Sequence, residues 1–322
     1  MEPDLHSIQF RPAVAEDDVR IVAIHNLYEG DALPLTVARC RLEYAGEGAE
    51  HRGGRYVAML DGDVVGSGCF RRAWWTAQPT IYSLDLRVDP GHLHRGIGTG
   101  LFALIHSQLL LRGATRIVLW IAEAGAEGRR FAKRLDFYET GQVLQEYSLP
   151  ISEANTEAYT AITARLQSKG VRIVSLAELG QTDLGFLRSL QRLWAGSEDD
   201  TSAPDQPHDP FEVWQRQVLD APGQSPDTHW IALEGGRPVG MTFLNRLSDD
   251  AFENDFTTVA STHRRRGIAT ALKRHAILWA QQQGVRCFYT SSEIGNTSMI
   301  TVNTRLGYRP GAVQVELARD IS

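Results

Sequence analysis

Two segments of the chain, HLHRGIGTGL at 92–101 and HRRRGIATAL at 263–272, set arginine directly before a run of small residues that opens a helix. That arrangement is suited to holding an anion. Glycine lets the backbone approach a ligand closely, and the first N–H groups of a helix lack internal partners and point outward. The helix dipole adds positive potential behind them, so a pyrophosphate is the natural occupant, and arginine supplies charge-assisted donors. Two commoner phosphate motifs are excluded: there is no GxxxxGK[ST], and Leu101 stands where GxGxxG needs its third glycine. For either copy alone, a tight strand-to-helix turn without a ligand is the competing reading.

The two segments superpose at a spacing of 171 residues. His92, Arg95, Gly96, Ile97, Thr99 and Leu101 meet the same residue types at His263, Arg266, Gly267, Ile268, Thr270 and Leu272. Val88 meets Val259, Gly113 meets Gly284, and RLDF (134–137) meets RLGY (305–308). A gapless match over about fifty positions marks a duplicated domain, not a short solenoid unit. The expected organisation is a first domain at 1–150, a linker helix at 151–169 and a second domain at 170–322.

The elements that must position these turns read alike in both halves. In the first, a strand at 8–11 precedes helical patterns near 16–28 and 35–45. A hairpin follows through the DGD turn at 61–63, then a strand at 80–88, a helix at 98–111, a strand at 116–121, a helix at 127–135 and a strand at 143–149. In the second, a strand begins at 171 and a helix covers 184–194. An acidic, proline-rich loop (197–210) and a helix at 211–219 lead to a hairpin at 230–244. A strand at 253–259, a helix at 269–283, a strand at 286–291 and a helix at 297–306 complete it. Each half is therefore α/β (α+β): a mixed, mostly antiparallel sheet flanked by helices.

Composition narrows the function. Three cysteines among 322 residues, none in a CxxC pair, exclude a disulfide framework and a cysteine-rich zinc site. A net charge of −6 argues against sequence-blind nucleic-acid binding. The polar start MEPDLHSIQF does not read as a signal peptide, and no apolar run reaches the roughly 18 residues of a membrane span. A cytoplasmic protein with no membrane or nucleic-acid partner is expected. The His92/His94 pair lacks converging ligands, so no metal is expected.

In the second half, R-x-x-G-x-A (Arg264, Gly267, Ala269) after a strand ending at Val259 resembles motif A of the GNAT N-acetyltransferase superfamily. The downstream N-x-x-M-x-x-x-N-x-x-L-G-Y (Asn296, Met299, Asn303, Leu306, Gly307, Tyr308) resembles its motif B. The resemblance covers the chain as a tandem pair. It implies acetyl-CoA as cosubstrate, held by the Val259 backbone, Arg264, Arg265, Arg266, Gly267, Ile268, Ala269 and Thr270. Asn296 and Asn303 would bond pantetheine amides, although each is also placed to cap or brace its helix. In the first half Val88, Arg95, Gly96 and Gly98 are the corresponding residues. There Leu93 replaces the leading Arg/Gln, Asp136 the motif B glycine and Gly125 the asparagine, so that half is expected to act mainly as a scaffold.

Acetyl transfer to an amine needs a base, because a lysine-type amine has a pKa near 10.4. Glu253 lies fourteen residues before Gly267, the spacing of the general-base glutamate in histone acetyltransferase members of the superfamily; a solvated strand-end carboxylate is the alternative. Strand parity would put Glu253 on one face with Asp255, Thr257 and Val259. The gapless alignment sets Tyr82 in its place in the first half. The tyrosine that many members carry four residues before the motif B glycine is Asn303 here, so the acid is unassigned: Tyr289 and Tyr308 are candidates, Tyr308 also suits the family's structural aromatic position, and the thiolate could take its proton from water. Asp249, Asp250, Glu253 and Asp255 would suit a cationic amine. Trp74 and Trp75 could wall an acceptor pocket, and the 197–210 loop could cover it. The expected function is acetyl transfer from acetyl-CoA to a primary amine of a small molecule, by a monomer or homodimer. A peptide or protein acceptor, and a non-catalytic acetyl-CoA-binding sensor, are the alternatives.

Overall fold

The computed structural model describes residues 8–28, 35–37, 40–41, 53–73, 76, 78–180, 182–198, 210–221 and 223–321. Trp74, Trp75, nearly all of the 197–210 loop and most of the helix expected at 35–45 lie outside them. The chain forms two compact units, one of residues 1–143 and 313–322, the other of residues 144–312.

The first unit contains β1 (Gln9–Pro12), α1 (Asp18–Asn26), β2 (Gly54–Leu60), β3 (Asp63–Arg72), β4 (Ile81–Val88), α2 (Ile97–Leu110), β5 (Arg116–Ala122) and α3 (Ala126–Arg134). β6 (Tyr138–Pro150) follows and crosses into the second unit. The second unit continues with α4 (Thr160–Ser168), β7 (Val171–Ser175), α5 (Leu184–Glu198), β8 (His229–Glu234), β9 (Arg237–Arg246), β10 (Ala251–Val259), α6 (Ile268–Gln283), β11 (Cys287–Glu293) and α7 (Thr297–Leu306). β12 (Arg309–Asp320) closes the chain.

Within the first unit the strands lie in the order β1-β2-β3-β4-β5-β12, and within the second in the order β7-β8-β9-β10-β11-β6. Neighbours are antiparallel except β4 with β5 and β10 with β11, which are parallel. Each motif A helix packs hard on the strand bearing a glycine. A Cβ on Gly240 would stand 2.9 Å from Ile268 Cγ2, and one on Gly66 would stand 3.0 Å from Ile97 Cγ2. Substituting either glycine would push the helix off the sheet.

These boundaries depart from the sequence expectation in two ways. Leu144–Pro150 of β6 pairs antiparallel with β11, whereas Gln314–Asp320 of β12 pairs with β5. The last strand of each repeat therefore serves the sheet of the other unit. The repeats give both strands the same alternation of core and solvent residues, so pattern alone does not choose the edge on which they add. The expected linker is also integral to the second unit. Leu166 of α4 is buried in the same core as Ile268 and Leu272, and Arg274 of α6 donates to Thr156 O at 2.8 Å and to Thr160 Oγ1 at 3.1 Å.

One core position differs sharply between the copies. In the first unit Phe102 and Phe137 meet edge to face at 5.9 Å. The same positions of the second unit hold Lys273, 2% exposed, with its ammonium 5.1 Å from the Tyr308 ring centroid. Burial draws the Lys273 amine from 10.5 down to about 7. Between those values the unfolded chain binds the proton and the folded chain does not. The destabilisation is complete below about pH 7 and fades as pH rises to about 10.5. Lys273→Met is expected to stabilise the protein, with a gain about 4 kcal/mol larger at pH 6.5 than at pH 10.5, read as the variant-minus-native difference in urea unfolding.

Candidate active site

The strand pair β10–β11 is bonded over three rungs only, Ala251–Cys287, Phe252–Phe288 and Glu253–Tyr289. Both strands run on, β10 bonded to β9 as far as Val259 and β11 bonded to β6 as far as Glu293. Each keeps its outer neighbour and loses its inner one, which opens a wedge inside the sheet. Ala260 N–H donates to Val239 O. By antiparallel alternation, the amides of Thr257 and Val259 turn away from β9 towards the open side.

β10 also carries a bulge, since its register with β9 shifts by one residue between Glu253 and Phe256. The bulge changes which faces the side chains take. Phe252 and Phe288 pack in the core beneath α6, so Glu253 and Tyr289, one residue further along each strand, point to the opposite face, towards α5. Asp255 is held on that face by Asn245 Nδ2 at 3.0 Å. Thr257 instead bonds Thr242 Oγ1 at 2.7 Å on the α6 face. The expectation that Glu253, Thr257 and Val259 share one face is therefore corrected: the extra residue reverses the parity. The same residue corrects the comparison of copies. β4 bonds β3 with no bulge, and its rung Ser83–Val118 corresponds to Glu253–Tyr289. Ser83, not Tyr82, therefore stands where Glu253 does.

The wedge is lined by polar groups on the α6–α7 side. Asn254 Nδ2 donates to Thr242 Oγ1 at 2.9 Å, Thr290 Oγ1 donates to Asn254 O at 2.8 Å, and Asn303 Nδ2 donates to Ser292 Oγ at 3.3 Å. Asn254 and Asn303 are buried, and the Oδ1 atom of each has no partner among the described residues. An orphaned buried acceptor costs about 1–3 kcal/mol, and a ligand amide N–H entering the wedge would recover it. In the first unit the corresponding residues of β4, β5 and α3 are Leu84, Leu86, Leu119, Ile121 and Ala132, all in or against one hydrocarbon cluster. There Phe131 Cζ lies 3.2 Å, and Val88 Cγ2 3.6 Å, from where a Cβ on Gly98 would be. The first wedge is filled by its own side chains. Thr242, Asn254, Thr290 and Ser292 were not singled out from the sequence, although Thr257, Thr290, Ser292 and Asn303 standing opposite Leu86, Leu119, Ile121 and Ala132 at the 171-residue spacing is a readable signal.

The motif A turn has the same backbone in both units, with positive φ at Arg265 (61°) and Gly267 (90°), and at His94 (61°) and Gly96 (81°). Its arginines differ in their commitments. Arg264 Nε donates to Val259 O at 3.2 Å. Arg266 Nη2 and His263 Nε2 share Glu234, at 2.7 and 2.9 Å, and the Arg266 guanidinium foremost holds that carboxyl below its usual range. Arg265 is exposed, as is Arg95 in the first unit. Ile268 is buried in the core, so only its amide faces outward, while Ala269 and Thr270 form the first turn of α6.

Asn296 accepts from Met299 N–H at 3.0 Å and so caps α7; its side-chain oxygen is already committed. Tyr308 is buried with its hydroxyl unpartnered among the described residues, and burial pushes its phenol up. It is a core residue. Tyr289 stands beside Glu253, but burial and then the Cys287 thiol push its phenol up to about 12. Passing its proton to a thiolate of pKa roughly 8.5 would run uphill by roughly 5 kcal/mol, so the acid role expected of Tyr289 does not suit it. Asp249 and Asp250 pair with Arg246 and Arg286 at 2.5 and 2.8 Å, and Glu253 and Asp255 are the carboxylates of β10 near the vertex. His92 faces Asp89 and His94 faces Glu127, at 3.6 and 3.5 Å.

A parallel strand pair that opens over a glycine turn, repeated twice, coincides with a family match. The sequence matches the acetyltransferase (GNAT) family over residues 20–137 and 188–308. The chain belongs to this family. It is an acetyltransferase of tandem architecture. Three solved structures share the fold along nearly the whole chain. A GCN5-related N-acetyltransferase from Sphaerobacter thermophilus is 15% identical with a TM-score of 0.74, over 99% of this chain and 97% of its own. A tandem GNAT protein from the clavulanic acid biosynthesis pathway is 18% identical with a TM-score of 0.74, over 97% and 98%. A GCN5-related glucosamine N-acetyltransferase region of a fungal multi-domain β-N-acetylglucosaminidase is 16% identical with a TM-score of 0.71, over 96% of this chain and 38% of that one. No curated protein sequence matches the chain significantly. Among the described residues, no helix is long and apolar enough to cross a membrane.

Two left-handed glycines separate the demands of the turn from those of conformation alone. A Cβ on Gly267 would stand 2.9 Å from Ile162 Cγ2, whereas one on Gly284, also at positive φ, meets nothing within 4 Å. Gly284→Ala is expected to cost about 1 kcal/mol and Gly267→Ala about 2–3 kcal/mol, compared by urea midpoints at equal m-value.

Proposed function

We propose that the second unit binds acetyl-CoA and transfers its acetyl group to a primary amine of a small molecule. The observation that carries this reading is the polar wedge with two unpartnered amide oxygens above the motif A turn, set against its hydrocarbon-filled counterpart in the first unit. The diphosphate would lie on the amides of the turn from Arg265 to Thr270, with the pantetheine arm in the wedge against Asn254 and Asn303. The thioester carbonyl would meet the outward amide of Val259 or Thr257, a donor placed where oxyanion charge develops.

The acceptor would approach from the α5 face. There Trp194 stacks on Phe256 at 4.1 Å between ring centroids, and Glu253 and Asp255 favour a cationic amine. Glu253 takes a proton from the ammonium, directly or through water. The free amine then attacks the carbonyl carbon. As the C–N bond forms and the C–S bond breaks, the second proton leaving nitrogen goes to the thiolate, directly or through water. This route balances without a side-chain acid, consistent with asparagine at position 303 and with the firmly held proton of Tyr289. The first unit keeps the turn at Gly96 and Gly98 and lacks the space, so one acetyl-CoA per chain is expected.

Release of CoA, followed across polyamines, amino sugars, amino acids and peptides, tests the reading. Glu253→Gln is expected to lower acceptor-dependent release about 10²-fold or more while leaving acetyl-CoA affinity within about twofold. Release unchanged by Glu253→Gln would remove the base assignment. Binding without release for any acceptor would favour a sensor. Calorimetry is expected to give one site per chain, and a stoichiometry of two would refute the filled first wedge.

A further inference from the structure

We propose that Arg165, on the α4 helix between the two family-matched regions, is a ligand of the acetyl-CoA diphosphate; this rests on the reading of the second unit given above. α4 lies outside residues 20–137 and 188–308, yet it sits directly on the phosphate turn. Ile162 occupies the space beside Gly267 that a side chain would take. One turn later Arg165 Nη2 donates to Arg266 O at 3.3 Å and stands 3.6 Å from where a Cβ on Gly267 would be. α6 itself fixes this position, through Arg274 to Thr156 O and Thr160 Oγ1.

Much of the turn's side-chain donor capacity is already committed. The Arg266 guanidinium and His263 are committed to Glu234, and Arg264 is drawn to the Val259 carbonyl. Of the turn's arginines, Arg266 is thus paired with a carboxylate and Arg264 is bonded to backbone, while Arg265 is exposed. Arg165 is exposed, and its bond to Arg266 O is the one hydrogen bond its side chain makes among the described residues, with no carboxylate partner there. A guanidinium has five N–H donors in a planar fork, so the donors left over can meet phosphate oxygens at the turn. Accepting from Arg165 also fixes the carbonyl of Arg266, whose neighbour Gly267 has the left-handed φ of 90° that aims the amides.

The test compares native protein with Arg165→Gln and Arg165→Lys by calorimetry, using acetyl-CoA, acetyl-dephospho-CoA and S-acetylpantetheine. The proposal expects Arg165→Gln to weaken acetyl-CoA and acetyl-dephospho-CoA about 5- to 30-fold and to leave S-acetylpantetheine unchanged. Arg165→Lys should recover part of the loss, and urea midpoints should stay close to native. No change for any ligand overturns the proposal, and so does equal weakening of all three, which would mean Arg165 only braces the fold. Weakening confined to acetyl-CoA would place the contact on the 3′-phosphate and overturn the diphosphate assignment. If native protein fails to bind acetyl-CoA at all, the reading of the second unit falls before Arg165 is tested.

Discussion

The candidate site of the second unit depends on two parallel strands ceasing to bond after three rungs. A parallel pair inside a sheet normally satisfies every backbone group it faces. Parting β10 from β11 after Glu253–Tyr289 leaves amides and carbonyls along the inner edges without ladder partners. That is costly unless something polar fills the gap. The side chains of Thr242, Asn254, Thr257, Thr290, Ser292 and Asn303 supply part of it through a local network, and two oxygens in that network remain open. The outer partners β9 and β6 hold each strand in place, so the opening is built into the sheet and does not need a ligand to create it.

The first unit shows the same constraint met differently. Its rungs also stop after three, at Ser83–Val118. There leucine, isoleucine and alanine line the gap and the Phe131 ring lies over Gly98. Hydrocarbon packing stands there in place of the polar network. The bulge is missing as well, and Ser83, not a carboxylate, stands at the last rung. The glycine turn of that unit has a packing role: its backbone repeats the positive φ values of the second unit, and it starts the helix that fills the core with Leu101 and Ile105.

The order of elements, the mixed sheet, the duplication and both glycine turns were legible in the sequence, because helix starts and strand alternation are local signals. Glu253 was legible by its spacing, but the face it takes was not. A bulge adds one residue to a strand without changing composition, and the gapless repeat from Val88–Val259 back through Tyr82–Glu253 hides it. The exchange of β6 and β12 was equally hidden, since duplication makes each strand acceptable to either edge. Asn296 could be read as a cap or a ligand, and only Met299 N–H decides between them.

What the sequence treated as a linker turns out to matter to the site. α4 is amphipathic only weakly, so nothing local marks it as part of a domain. Its place is fixed from outside, by Arg274 on α6 and by the shared core around Leu166. Once there, it presses a branched side chain onto a glycine that must keep a left-handed φ. The two requirements reinforce each other. A larger residue at position 267 would strain the backbone and displace α4 together, and with α4 would go the arginine beside the turn. A segment that joined two copies after duplication would, on this account, have become part of what one copy needs to hold its cosubstrate.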